Sequence, residues 1–326
     1  MRRYNILVTG VGAIIGYGVI HSLRKSKYDV NIIGMDIYED AVGQEWCDRF
    51  IQAIPAADER YPEFLLECIK SNDVDLVFFG TEQEIKRACD SQSEFGEYYK
   101  RLVINKPDII ALSEDKWLTF EFLRKHHIDC IPSSTVPDFE LAASAYGLPM
   151  LLKPRRSYAS KGIKLVSTKM EFEQWRDEHG EQFMVQKYVG DDDHEYTAAT
   201  FGFGDGTGLQ PIIMRRKLSR EGSTLKATVV KDSAIEKQIY ELVRLLRPIG
   251  PTNFQFRTHE GIPLLLEINP RISSSTSIRT AFGYNEAEMC ITYFVNGEHP
   301  QEPSIQMGRA TRYIAERIEY DVGGNI

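Results

Sequence analysis

The chain has 326 residues, 42% of them apolar and 26% charged, an ordinary globular composition with room for two or three folding units. A formal charge of −8 and a pI near 5.5 exclude the basic footprint of a nucleic-acid binder. No apolar run is long enough to span a bilayer, so neither nucleic acid nor membrane is an expected partner.

Met1-Arg2-Arg3-Tyr4 runs into a strand pattern without a signal-peptide core, which makes the cytoplasm the expected setting. Cys47, Cys68, Cys89, Cys130 and Cys290 are odd in number and widely spaced. They read as free thiols, not as a zinc site or a disulfide frame.

Asn5 to Thr9 is a short apolar run that ends in a glycine-rich turn, Gly10 to Gly18. A helix over Val19–Ser26 and a strand over Val30–Met35 follow, with Asp36 at the strand end. This is a strand, turn, helix, strand unit of the doubly wound kind. Gly10 and Gly12 match a dinucleotide fingerprint, but the third glycine, Gly16, falls one residue late. The turn therefore reads as a cofactor cradle or as tight helix–strand packing. A helix over Tyr61–Lys70, a strand over Leu76–Phe79 and a strand over Leu102–Asn105 complete the unit. Glu82 and Glu84, after Thr81, suit the first turn of a helix, where carboxylates oppose the helix dipole.

Ser113 is a candidate N-cap for a helix over Trp117–His126, with Lys116 just before it. Met150 to Lys153 reads as a buried strand stopped by Pro154, followed by a cationic loop (Arg155 to Ile163) and a strand over Lys164–Ser167. Ser157, Ser160, Lys161 and Gly162 give that loop backbone N–H groups and charge suited to polyphosphate. Phe183 to Gly190 is a further strand, and Asp191 to Asp193 read as a solvated acidic turn. Gln210 to Met214 continues into Arg215-Arg216-Lys217. Residues two apart share a strand face, so Arg215 and Lys217 are expected to face a site, with Arg216 turned away. Ser233 to Leu246 has amphipathic helical spacing.

Asn253 to Arg257 and Leu264 to Asn269 read as an antiparallel pair with a turn over Thr258–Pro263. Gln255 should then lie opposite Glu267, with Asn269 on the same face. One carboxylate and two amide oxygens suit Mg²⁺ (or Mn²⁺), which fills its remaining positions with water and phosphate oxygens. Arg271 follows at once, a cation suited to an anionic substrate or a transferring phosphate. Arg279 is a further candidate for holding a carboxylate, and Ala310 to Ile318 reads as an edge strand.

Asn253-Phe254-Gln255-Phe256 and Glu267-Ile268-Asn269-Pro270-Arg271-Ile272-Ser273 resemble the metal-binding segment of the ATP-grasp enzymes, and the large subunit of carbamoyl-phosphate synthase in particular. The resemblance implies an α/β chain of three parts: a Rossmann-like pre-ATP-grasp domain (1–112), a small lobe with a phosphate loop (113–187) and a large lobe with the metal site (188–326). It implies that Lys116 and Lys153 reach the phosphates and that Ser157, Ser160, Lys161 and Gly162 cover them. Gln186, Lys187 and Val189 would meet the adenine and Glu195 the ribose. Gln255, Glu267 and Asn269 would hold two Mg²⁺ ions, and Lys153 and Arg271 would act in catalysis. Gly12, Thr81, Glu82, Arg215, Lys217 and Arg279 become candidate substrate contacts.

The implied reaction is ligation of a small-molecule carboxylate to an amine through an acyl phosphate, with release of ADP. The family carries a second arginine three residues after Arg271, where this chain has Ser274, and that departure weighs against bicarbonate as the acid. A bicarbonate enzyme and a regulatory protein that binds ATP without turnover are the alternatives, and the sequence leaves a homo-oligomer open.

Overall fold

A computed structural model describes residues 2–157, 161–220 and 222–318. The chain opens with β1 (Arg3–Thr9), α1 (Ile14–Arg24), β2 (Asp29–Asp36), β3 (Arg49–Gln52), α2 (Tyr61–Ser71), β4 (Leu76–Phe78) and α3 (Glu82–Asp90). The four strands form a parallel sheet in the order β3-β2-β1-β4. Alternation decides its two faces. Tyr4, Ile6 and Val8 pack with Val19, Ile20 and Leu23 of α1, whereas Leu7 packs with Tyr61, Leu65 and Ile69 of α2 and Ile85 of α3. Both faces are covered, which is why β1 reads as a continuous apolar run. The predicted strand over Leu102–Asn105 reduces to a single parallel bridge between Leu102 and Val77.

The middle of the chain runs through α4 (Gln92–Phe95), α5 (Pro107–Glu114), α6 (Lys116–Lys125), β5 (Ser133–Ser134), α7 (Phe139–Tyr146), β6 (Met150–Pro154), β7 (Lys164–Val166), α8 (Lys169–His179) and β8 (Phe183–Lys187). Ser113 is not an N-cap. It lies inside α5 and donates to the Ile110 carbonyl, while Asp115 caps α6 by accepting from Trp117 and Leu118 N–H. Asp115 serves this end better because its carboxylate also takes Arg155, at 2.6 Å. The small antiparallel sheet, β5-β8-β6-β7, packs Leu152, Val185 and Phe183 against Phe172 and Trp175 of α8.

The last part comprises β9 (Glu195–Phe203), β10 (Ile212–Leu218), β11 (Thr224–Val230), α9 (Ser233–Leu246), β12 (Ile249–His259), β13 (Ile262–Asn269), α10 (Thr276–Ala281), α11 (Glu286–Cys290) and β14 (Arg309–Thr311). Its six-stranded sheet has the order β13-β12-β9-β10-β11-β14. The expected C-terminal strand is therefore at the edge but spans three residues. The β12–β13 turn is also tighter than expected. Glu260 and Gly261 alone make it, both at positive φ (52° and 80°), as a two-residue hairpin turn requires.

On one face of this sheet, Ile235, Ile239, Leu242 and Val243 of α9 bury against Phe254, Phe256 and Ile268, each contributing roughly 1.5–3 kcal/mol. On the other, Phe201, Ile212 and Met214 share one apolar cluster with Ile278 and Cys290 and with Val19 and Ile20 of α1. That shared core seats the parallel sheet against the six-stranded one. Among the described residues no helix is long and apolar enough to cross a membrane.

Candidate active site

The β12–β13 hairpin sets the site. Gln255 pairs with Glu267 and Asn253 with Asn269, and an irregularity follows Gln255. Phe254 and Ile268 point into the core beneath α9, so Gln255, Glu267 and Asn269 share the opposite face. Glu267 and Asn269 line a small cavity with Glu82, Lys116, Ser157 and Arg271. A second cleft joins it at Lys116 and carries Lys153, Met184, Gln186 and Leu265. Two sheets and the α6 N-terminus therefore converge on one trough.

Both lysines are desolvated there. Lys153 lies on β6, where the register sets Leu151 opposite Gln186 of β8, so Lys153 and Gln186 are diagonal neighbours on one face. The Lys153 Nζ donates to Gln186 Oε1 at 2.5 Å, and Gln186 Nε2 donates to Ser133 Oγ at 3.0 Å. Burial, and then the charge of Lys116, bring the Lys153 ammonium down to about 8. Burial also lowers Lys116, against the opposing pull of Glu267 and Glu82. Lys116 Nζ donates to the Ser157 carbonyl at 3.0 Å and to Ser157 Oγ at 3.1 Å, which ties the start of the cationic loop to α6. Lys161 is exposed, and Gly162 has φ of 75°. Ser160 lies outside the described residues.

Glu195 opens β9. Its Oε1 accepts from Arg216 Nε at 3.1 Å and Nη2 at 2.9 Å, and its Oε2 from Arg257 Nη2 at 3.1 Å. Arg257 Nη1 also reaches the Val189 carbonyl at 3.4 Å, and Lys187 N–H donates to the Pro132 carbonyl. The expectation for β10 is reversed. Arg216 is buried and faces the site, while Arg215 is exposed and Lys217 pairs with Asp193 at the surface. Three apolar residues precede the basic run, so the sequence shows no alternation there. Register with β9, which pairs Met214 with Thr197, decides the parity.

Arg279 is the second correction. It is fully buried and pairs with the equally buried Glu286, donating also to Asn253 Oδ1 and Thr197 Oγ1. The carboxylate it holds belongs to its own chain. Arg271, in contrast, lines the cavity. Its Nε donates to Glu82 Oε1 at 3.1 Å and its Nη2 to Asn269 Oδ1 at 3.1 Å.

The Thr81–Glu84 segment divides two spaces. Glu82 faces Arg271, whereas Thr81 and Glu84, with Gly12 and Asp36, line a separate open cleft of about 860 Å³. Glu84 is buried, accepts from Thr9 and Tyr61 at 2.6 and 2.9 Å, and is raised by its burial. Asp36 accepts from the N–H of Gly12 and of Tyr38, so the acid of the dinucleotide reading holds the glycine turn together. Gly16 serves packing, since a Cβ there would lie 2.2 Å from the Gly10 carbonyl oxygen.

Gln255, Glu267 and Asn269 offer hard oxygen donors. Each amide oxygen accepts from an arginine in this structure, Gln255 from Arg216 and Asn269 from Arg271, and keeps a second lone pair. The set fits one or two ions that complete their shells with phosphate and water. Arg216, Arg257 and Ser133 carried no recognisable signal in the sequence, because their roles depend on strand register alone.

A family profile described as ATP-grasp in the biosynthetic pathway with Ter operon matches residues 180–316. The carbamoyl phosphate synthase large chain of Sulfolobus acidocaldarius is 21% identical over 309 residues, covering 88% of this chain and 28% of its own. The N5-carboxyaminoimidazole ribonucleotide synthetase of Thermus thermophilus superposes with a TM-score of 0.69 at 19% identity, over 94% of this chain and 81% of that one. The biotin carboxylase domain of the Hydrogenobacter thermophilus 2-oxoglutarate carboxylase, solved with MgADP, ADP and bicarbonate, gives 0.74 at 14% identity, over 94% and 73%. The chain spans about a third of the length of the curated relatives it matches. The chain is thus similar to ATP-grasp proteins in the profile over residues 180–316 and shares the fold of these solved structures.

Proposed function

We propose that this protein is an ATP-dependent carboxylate–amine ligase. The observation that carries the reading is the pairing of Gln255 with Glu267, with Asn269 on the same face, across a trough from Lys116 and Lys153. In this reading residues 1–112 are the Rossmann-like pre-ATP-grasp domain, 113–187 the small lobe and 188–326 the large lobe. Gln186, Lys187 and Val189 border the adenine, and Glu195 accepts from the ribose hydroxyls. Lys116 and Lys153 bind phosphate oxygens, and the Ser157 to Gly162 loop covers them.

Gln255, Glu267 and Asn269 would hold Mg²⁺, two ions in this proposal, whose chemistry when bound is to neutralise charge between the phosphates. The chain's own groups position the reactants. Arg271 steadies the acid substrate so that its carboxylate oxygen can attack the γ-phosphorus. The bond to the β-phosphate oxygen breaks and ADP leaves. The amine lone pair then attacks the acyl carbon, the C–O bond to phosphate breaks, and the amine loses a proton. No covalent enzyme nucleophile is required, because positioning and charge stabilisation do the work. The open cleft at Gly12 and Thr81, beyond Glu82, is the place proposed for the second substrate.

The test is ADP release from Mg·ATP across panels of carboxylic acids, bicarbonate and amines. ADP formed only with one acid–amine pair supports the ligase and names its substrates. ADP formed with bicarbonate alone would replace the reading with carbamoyl-phosphate chemistry. Binding of Mg·ATP without turnover on any pair would leave a regulatory role.

A further inference from the structure

Arg216 is buried against Glu195 and Gln255 and belongs to no motif. It stands on β10, with β9 between it and β12. The Arg216 and Gln255 side chains together bridge about 10 Å, two strand spacings, and meet over β9. One guanidinium thus serves two strands, with Nη2 on Glu195 Oε1 at 2.9 Å and on Gln255 Oε1 at 2.7 Å, and Nε on Glu195 at 3.1 Å.

The Gln255 partner is informative. A glutamine amide has two orientations of nearly equal shape, and only its oxygen can ligate a cation. A guanidinium carries donors and no acceptor. Set against Arg216, the Gln255 amide must turn its oxygen toward the guanidinium, because the flipped form would oppose NH₂ to N–H. One oxygen lone pair is taken and the other is left on the face shared with Glu267. An arginine beside a dication would ordinarily repel it, but the two bonds that Arg216 donates to Glu195, a carboxylate shared with Arg257, offset part of this charge locally. A lysine in the same place would reach as a point charge and could not hold both acceptors in a fixed plane.

We infer that Arg216 is a positioning residue that fixes the Gln255 amide oxygen for the divalent ion and, through Glu195, ties that choice to the ribose end of the nucleotide site. This inference rests on the nucleotide and metal reading proposed above. Arg216 thereby couples the two ligands, since a nucleotide that orders Glu195 also orders Arg216 and hence Gln255.

The test is calorimetric titration of ADP with Mg²⁺ present and with EDTA. Wild type should bind ADP more tightly with the ion. In Arg216→Met that enhancement should fall by about 10- to 100-fold, the usual cost of removing the group that orients a metal ligand. The EDTA affinity should fall less, and Arg216→Lys should be intermediate. Arg216→Met takes both bonds from Oε1 of the buried Glu195, which keeps only Arg257 on Oε2 among the described contacts, so the double variant Arg216→Met/Glu195→Gln guards against simple misfolding. It should regain the thermal midpoint but not the Mg²⁺ enhancement. A wild-type enhancement in either folded variant would overturn the inference. Wild type that binds no ADP under either condition would overturn the nucleotide reading and this inference with it.

Discussion

Arg271, two residues past the end of β13, donates from Nε to Glu82 at 3.1 Å, and Glu82 opens a helix of the parallel-sheet unit 189 positions earlier in the chain. The two side chains are 17% and 26% exposed, partly but not fully withdrawn from water. Their bond aims the cation proposed to meet the acid substrate. Glu82→Gln should cost about 1 kcal/mol of stability, between the values for surface and buried pairs. Turnover should fall roughly ten- to a hundred-fold as Arg271 loses its aim, with ADP affinity unchanged. Urea unfolding, steady-state kinetics and calorimetry separate these effects, and a variant with unaltered kcat would remove Glu82 from the mechanism.

Lys153 predicts a pH dependence. Burial brings its folded-state pKa to about 8, below the ordinary lysine value of 10.5. Between those limits the unfolded chain binds more protons, so the free protein gains stability as pH rises from about 8 to 10.5. Phosphate beside the ammonium raises its pKa again. Nucleotide affinity should be full below about pH 8 and decline above it, with proton uptake on binding. Titrations in two buffers of different ionisation enthalpy measure that uptake. Lys153→Met should abolish it, and an unchanged uptake would assign the proton elsewhere.

Glu267 supplies the carboxylate of the proposed metal set. Glu267→Gln keeps the shape of the hairpin and removes the charge that Mg²⁺ prefers. ADP should still bind in EDTA, while the gain in affinity on adding Mg²⁺ should fall by more than about tenfold. Retention of the full gain would show that the ion sits on other ligands.

Arg279 and Glu286 predict a purely structural phenotype. Both side chains are fully buried, and Arg279→Met would leave Glu286 without its counter-ion, a loss of about 3–5 kcal/mol. Arg279→Met/Glu286→Met should recover most of it, since an apolar pair carries no desolvation cost. Chemical denaturation of both variants decides this. A single variant of native stability that loses substrate affinity would return Arg279 to the site.

Much of the site was legible because strand alternation has a short, fixed period. Alternation along β13 put Glu267 and Asn269 on one face, but the regular register of the hairpin would set Gln255 opposite Leu266, and the irregularity after Gln255 is what brings it to Glu267. The helix over Ser233–Leu246 was equally plain, from apolar spacing alone. The residues Lys116, Lys153 and Ser157 were nameable, but their meeting depends on two sheets and a helix end that no local pattern relates.

What the sequence determined by itself is the strongly periodic elements, such as the helix over Ser233–Leu246, and the shared strand face of Glu267 and Asn269, because these follow from near-neighbour periodicity. What only tertiary structure decided is which charges are used internally. Arg279 answers to Glu286, Arg271 to Glu82 and Arg216 to Glu195 and Gln255. Three basic residues in succession on β10 present the same chemistry at either parity. Ile212 and Met214, which share the Arg216 face of β10, pack in one cluster with Phe201, and this with the register to β9 turned Arg216 inward, since a guanidinium leaves water only where acceptors already wait for it.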